Sequence, residues 1–257
     1  MPYRKLPNST PSVIRTLKTA GSAYLNTPNP ADRAITADQF AKLDLTDPTS
    51  LLSRFLGEAS AVQLAEAAQA PLTSEEAKLA AKLTQIVSHF HQVLDLGVAR
   101  GVFNTGARSY YGRDITATSI PDLSGYQAVS DAAEAVVNGE AARQKAEGAA
   151  YVAMALPSAA EVGTLLGQFN NLDSQSGQAQ EATEKQRGVL NTDYPAAQAL
   201  AVDICDTVEF FYRKTADDAT RRVQCQRWGV VYIYDTAGTP TSTPPVPAPA
   251  ATTPPAK

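Results

Sequence analysis

The chain has 257 residues, of which 44 % are apolar and 19 % charged, with a formal net charge of −4. That length can bury a substantial core, and an apolar share drawn heavily from alanine favours closely packed helices over a β-rich interior. The charge excludes whole-protein attraction to nucleic acid or anionic membrane, so any contact of that kind requires a local basic patch.

The opening Met1-Pro2-Tyr3-Arg4-Lys5-Leu6-Pro7 is basic but has no apolar run behind it, which argues against a secretory signal. No segment approaches the ~18–20 unbroken apolar residues of a membrane span, so the expected address is cytoplasmic. A first helix is predicted from Ser9 or Thr10, with Pro11 at its opening turn and Val13, Ile14, Leu17, Ala20, Tyr24 and Leu25 at helical spacing. Asp47-Pro48 caps a second helix carrying Leu52, Phe55, Leu56 and Val62, which Pro71 ends. Thr73 and Glu76 form a capping-box pattern for a third helix, with Leu79, Leu83, Val87, Phe90 and Leu94 on one face and Gly101 as its stop.

Residues 102–123 read as a long connection with Tyr110-Tyr111 at its middle, a length at which loops are often functional. A fourth helix is expected over 124–147. Ser158 and Glu161 repeat the capping-box pattern before Val162, Leu165, Leu166 and Phe169. The stripe thins over 173–188, as in a helix that projects past the core or meets a partner. Pro195 breaks or kinks the path, and a last helix buries Leu200, Ile204, Cys205 and Val208. Val230 to Tyr234 form a β-type run with no evident partner in the chain. Beyond residue 235 the composition turns to Pro, Thr and Ala, so 236–257 is expected to be a disordered tail after a helical domain over 1–235. The fold class is therefore all-α, an antiparallel bundle of long helical hairpins closed by a short extended segment.

Tempting chemistry is sparse. His89 and His91 sit two residues apart on a helix and cannot share a metal from one face. Cys205 and Cys225 read as free, helix-packed thiols, although the arginines around Cys225 could activate it. Asp203, Asp206 and Glu209 lack the Glu-x-x-His partners of a helical di-metal site, and Glu209 is spaced for an ion pair with Arg213. Phosphate-loop, dinucleotide and hydrolase-elbow motifs are absent, so no cofactor or metal is expected.

The densest feature is C-terminal: Arg213, Lys214, Arg221, Arg222 and Arg227 lie among aromatics that include Trp228 and Tyr232. Three readings are open for it: arginine stems covering rings with their heads paired to Asp217, Asp218 or Glu209; a protein-partner surface; or a nucleic-acid site. This ending, with Arg227-Trp228-Gly229-Val230-Val231-Tyr232, resembles that of a group of bacterial all-helical proteins. The opening Lys5-Leu6-Pro7-Asn8 and the stretch from Ser88-His89-Phe90 to Tyr110-Tyr111-Gly112 are similar too. The resemblance implies a helical fold and carries no activity or site residues. The expected function is a non-enzymatic structural or protein-interaction protein, with self-association or a protein partner. Nucleic-acid or anionic-ligand binding through 213–227 is the alternative, and an enzyme with a pocket beneath 102–123 a third reading.

Overall fold

The computed structural model describes residues 2–117 and 119–234, so the stretch 236–257 lies outside the described residues. In chain order the elements are β1 (Tyr3–Lys5), α1 (Thr10–Leu25), α2 (Ala37–Ala41), α3 (Leu51–Ala99), α4 (Ala107–Tyr110), α5 (Tyr126–Glu147), α6 (Ala159–Tyr212), α7 (Asp218–Gln226) and β2 (Val231–Ile233). The all-α class holds, with long helices packed on each other. No helix among the described residues is long and apolar enough to cross a membrane.

Two expected breaks are missing. α3 runs through Pro71 and α6 through Pro195, although each proline removes a helix hydrogen bond and costs ~3 kcal/mol. Packing explains the continuity. Val62, Ala65, Gln69, Leu72, Glu76, Leu79 and Leu83 are buried or half-buried at alternating steps of three and four, in one phase across Pro71. Leu172, Ser176, Ala179, Thr183, Gln186 and Leu190 do the same on α6. Such alternation is the seam of a coiled coil, and α3 packs on α6. An Arg187–Glu66 ion pair at 2.7 Å bridges them. Glu76 is therefore a buried seam residue and not part of a helix-start box, and residues 173–188 meet α3 of the same chain. The box at Ser158 is real: its amide donates to the Glu161 carboxylate at 2.8 Å, and the Glu161 amide returns to the Ser158 hydroxyl at 3.2 Å. At the start of α3, Ser50 caps through its hydroxyl to the Ser53 amide, three residues beyond the expected Asp47.

Two compact units are distinguished, Met1–Arg54 with Tyr194–Lys257, and Phe55–Asp193. In the first, Val13, Leu17 and Ala20 of α1 are buried, as are Ala201, Ile204 and Val208 of α6, and Trp228 and Val230. The expected lone strand is paired after all. β2 runs antiparallel to β1, with Arg4 opposite Tyr232, which satisfies the edge that had no visible partner in the sequence. Gly229 makes the approach to this strand possible. Its φ is +93°, and a Cβ there would stand 2.8 Å from the Thr16 carbonyl oxygen, so only glycine fits.

In the second unit, Leu83, Val87, Phe90 and Leu94 of α3 form a core with Val129, Ala133 and Val136 of α5 and with Val162 and Phe169 of α6. Part of the stretch 102–123 packs on this core: α4 interrupts it, Ala107 and Tyr111 are buried members of the cluster, and Phe103, Tyr110 and Leu123 lie against it. At Gly139 a Cβ would lie 2.4 Å from the Tyr110 carbonyl oxygen. That missing side chain lets the end of α4 press onto α5.

Candidate functional site

The first unit brings four of the seven sequence-predicted site residues to one cleft of about 630 Å³, where Arg213, Arg221, Arg222 and Tyr232 meet Pro2, Glu209 and Asp218. The β1–β2 register sets one wall. Opposed residues point to the same face, and Arg4 and Tyr232 both reach Glu209: the Tyr232 hydroxyl donates at 2.7 Å and the Arg4 guanidinium at 3.1 Å. Arg4 also bridges Asp206. Glu209 thus takes Arg4 in place of the Arg213 expected from spacing. Burial, then the Glu209 hydrogen bond, push the Tyr232 phenol far up, so it stays a donor at any physiological pH.

The second acid of the cleft, Asp218, is held by Arg221 at 2.7 Å. Asp217 caps α7 by accepting from the Ala219 and Thr220 amides. The Thr220 hydroxyl and these amides, then the more distant charge of Arg222, hold its carboxyl below the usual range. Two cations are left over. Arg213 lies over the Phe210 ring at 3.7 Å, and neither it nor Arg222 has an ion pair among the described residues. The Arg222 Nε is buried without a hydrogen-bond partner.

The other three predicted residues go elsewhere. Trp228 is buried, its indole N–H donating to the Tyr212 hydroxyl at 3.1 Å, a structural role. Arg227 is exposed at the C-cap of α7 and lines neither cleft described here. Lys214 joins Arg33, Thr36, Thr207, Phe210, Phe211 and Arg213 around a neighbouring cleft of about 490 Å³. Sequence reasoning missed Arg4, whose role depends on a strand pairing across the whole chain, and Arg33.

Each acid of the series on α6 has a partner within the chain. Asp203 accepts from Gln39 at 2.7 Å, while Asp206 and Glu209 take Arg4. Among the described residues no group of three or more His, Cys, Asp or Glu is placed to hold an ion.

Both cysteines are free and buried. Burial pushes the Cys205 thiol up to about 11 and raises Cys225 as well, against the lowering from Tyr232 and Arg221. Thiolate is the reactive form. Neither thiol is therefore expected to react with a disulfide reagent such as Ellman's reagent at pH 7.5 until denaturant is added, when both titrate; rapid labelling of the native protein would contradict this.

The second unit holds a buried polar cluster with a different character. Glu140 of α5 accepts from the Tyr111 hydroxyl, from the Tyr151 hydroxyl at 2.5 Å and from the Met154 amide at 3.2 Å, and it pairs with Arg143 at 3.1 Å. Arg143 has no exposed surface. It donates to the Val152 carbonyl at 2.7 Å and sits against the Phe103 and Tyr151 rings. Burial would raise the Glu140 carboxyl, but its hydrogen bonds and Arg143 outweigh that and keep it below the ordinary value. In the same unit Asp95 accepts from Arg108 and Arg113 at 2.7 to 3.0 Å. A carboxylate with every acceptor used has no capacity left for a substrate, so this cluster is a structural clamp on the loops 102–123 and 148–158.

Fold and cleft together define an all-helical protein with an arginine-lined surface cleft. No family model, curated protein or solved structure matches the chain.

Proposed function

We propose that the protein is a non-enzymatic interaction protein whose first unit captures an anionic group, carboxylate or phosphate, presented by a partner. One observation carries this reading: the cleft acids Glu209 and Asp218 are held by Arg4, which Glu209 shares with Asp206, and by Arg221, while Arg213 and Arg222 line the cleft outside any ion pair among the described residues. Guanidinium groups are well suited to such a ligand because their forked donors match carboxylate and phosphate oxygens. Self-association carries less weight, since residues 173–188 pack on α3 and β2 pairs with β1. A nucleic-acid ligand is also disfavoured, because Glu209 and Asp218 in the walls would repel a backbone with one charge per nucleotide.

The test is fluorescence anisotropy of a fluorescein-labelled peptide of glutamates separated by glycines, titrated with the full chain. Saturable binding is expected at low ionic strength, weakening as salt screens the cleft. Replacing Arg213→Ala together with Arg222→Ala should weaken it by about tenfold or more, the loss of charge-assisted hydrogen bonds. No saturable binding, or equal binding by the double variant, would defeat the proposal.

A further inference from the structure

The cleft beside the first one differs from it in chemistry. Its floor is formed by the buried Ala34 and Ile35, and its rim by Arg33, Arg213 and Lys214, with no carboxylate in its lining. Phe210 and Phe211 stand three and four residues beyond Thr207 on α6, so the three share one face, and Lys214 lies two residues past the end of the helix. Phe210 is 63 % exposed and Phe211 42 %, two large adjacent rings left in water beside three cations. Arg33 is fixed there: it donates to the Thr27 carbonyl at 3.0 Å and to the Tyr24 hydroxyl at 3.2 Å, and it lies over the Tyr24 ring. It has no ion pair among the described residues. Exposed aromatics combined with arginine are the composition of protein-interaction patches, where a large apolar side chain is buried and charges around it set the orientation.

We infer that the two clefts act together on an acidic polypeptide segment: a carboxylate enters between Arg213 and Arg222, and a large apolar side chain of the same segment lies against Phe210 and Phe211 under the Arg33–Lys214 rim. This rests on the anion-capturing reading of the first cleft and names its partner. Arg213 is the link, because it lines both clefts. Charge complementarity selects a peptide over a nucleic-acid strand. Carboxylates spaced along a peptide can fall on the cationic positions and avoid Glu209 and Asp218, whereas a phosphodiester backbone cannot skip a charge. Base stacking is also poorly served, since one face of the Phe210 ring is already covered by the Arg213 guanidinium.

The experiment pans a phage-displayed library of random 12-residue peptides on the full chain, then measures the selected peptide by anisotropy. The expected consensus combines Asp or Glu with a Phe, Leu, Ile, Met or Trp within a few residues. Replacing that apolar residue by serine, or Phe211→Ser in the protein, should weaken binding by about tenfold, the effect of exposing one large apolar side chain. Binding of the glutamate–glycine peptide should survive Phe211→Ser. A consensus of acids with no apolar position overturns the inference while leaving the anion cleft intact. Failure of the glutamate–glycine peptide to bind, with no acids enriched, removes both. Tighter binding of a 12-nucleotide single strand than of the selected peptide also overturns it.

Discussion

Glu140→Ala is expected to destabilise the second unit by about 3–5 kcal/mol, the cost of removing one member of a buried charge pair. Glu140 is the acceptor on which Tyr111, Tyr151, the Met154 amide and Arg143 converge. Its removal strands Arg143, which has no exposed surface and whose Nε and Nη1 already lack hydrogen-bond partners. The Val152 carbonyl and two aromatic rings cannot neutralise a guanidinium, and Glu147 acts on it only as the weakest of its charged neighbours. Urea unfolding of the full chain followed by circular dichroism would measure the loss, and hydrogen exchange at the α5 amides would locate it. Arg143→Met alone should cost a similar amount, since it leaves the carboxylate unpaired. The pair Glu140→Leu with Arg143→Met should cost clearly less than the two single losses added, because it removes both charges. A Glu140→Ala loss under ~1 kcal/mol, the worth of a single neutral hydrogen bond, would show that the cluster is not a clamp.

This clamp shows where the sequence was readable and where it was not. Val13, Leu17 and Ala20, or Val129, Ala133 and Val136, announce their helices because the buried positions are apolar. The seam of α3 and α6 conceals itself: Gln69, Glu76, Ser176, Thr183 and Gln186 occupy buried or half-buried positions, and a hydrophobic stripe search skips them. Pro71 then looks decisive, although the cost of one lost hydrogen bond is small beside a seam that keeps its phase on both sides of it. β1 is invisible for another reason. Tyr3-Arg4-Lys5 is too short to show alternation, and its partner lies 230 residues away, as in Tyr3 opposite Ile233. The candidate cleft was legible as a cluster of arginines and aromatics, but its charge balance was not, because Arg4 arrives through that same strand pairing. Sequence reasoning passed over Glu140 and Arg143, whose spacing of three suits a local ion pair. Only the fold shows that the pair is buried and that Tyr111, from the middle of the 102–123 connection, points at it.

Acid should weaken the second unit through His91 before it reaches the carboxylates. His91 is fully buried, and neither ring nitrogen has a hydrogen-bond partner among the described residues. Burial, and then the charge of Arg113, push its pKa down to about 4 from 6.5, with Asp95 opposing only partly because Arg108 and Arg113 already hold that carboxylate. The unfolded chain therefore binds a proton near pH 6.5 that the folded chain refuses until about pH 4. Where the unfolded state holds more protons, stability falls with falling pH. The loss begins below about 6.5, accumulates to about 3 kcal/mol at ~1.36 kcal/mol per unit, and levels off near 4. Glu140 acts later, since its folded pKa is depressed and its contribution disappears only as pH drops through that lower value. Denaturant midpoints of the wild type and His91→Leu, measured from pH 7.5 to 4.5, separate the two effects. Leucine fills the site without a proton to bind or a nitrogen to satisfy, so the variant should match or exceed the wild type at pH 7.5 and lose the slope between 6.5 and 4.5. Parallel pH profiles would mean that His91 is hydrated or partnered in solution and that the acid sensitivity has another source.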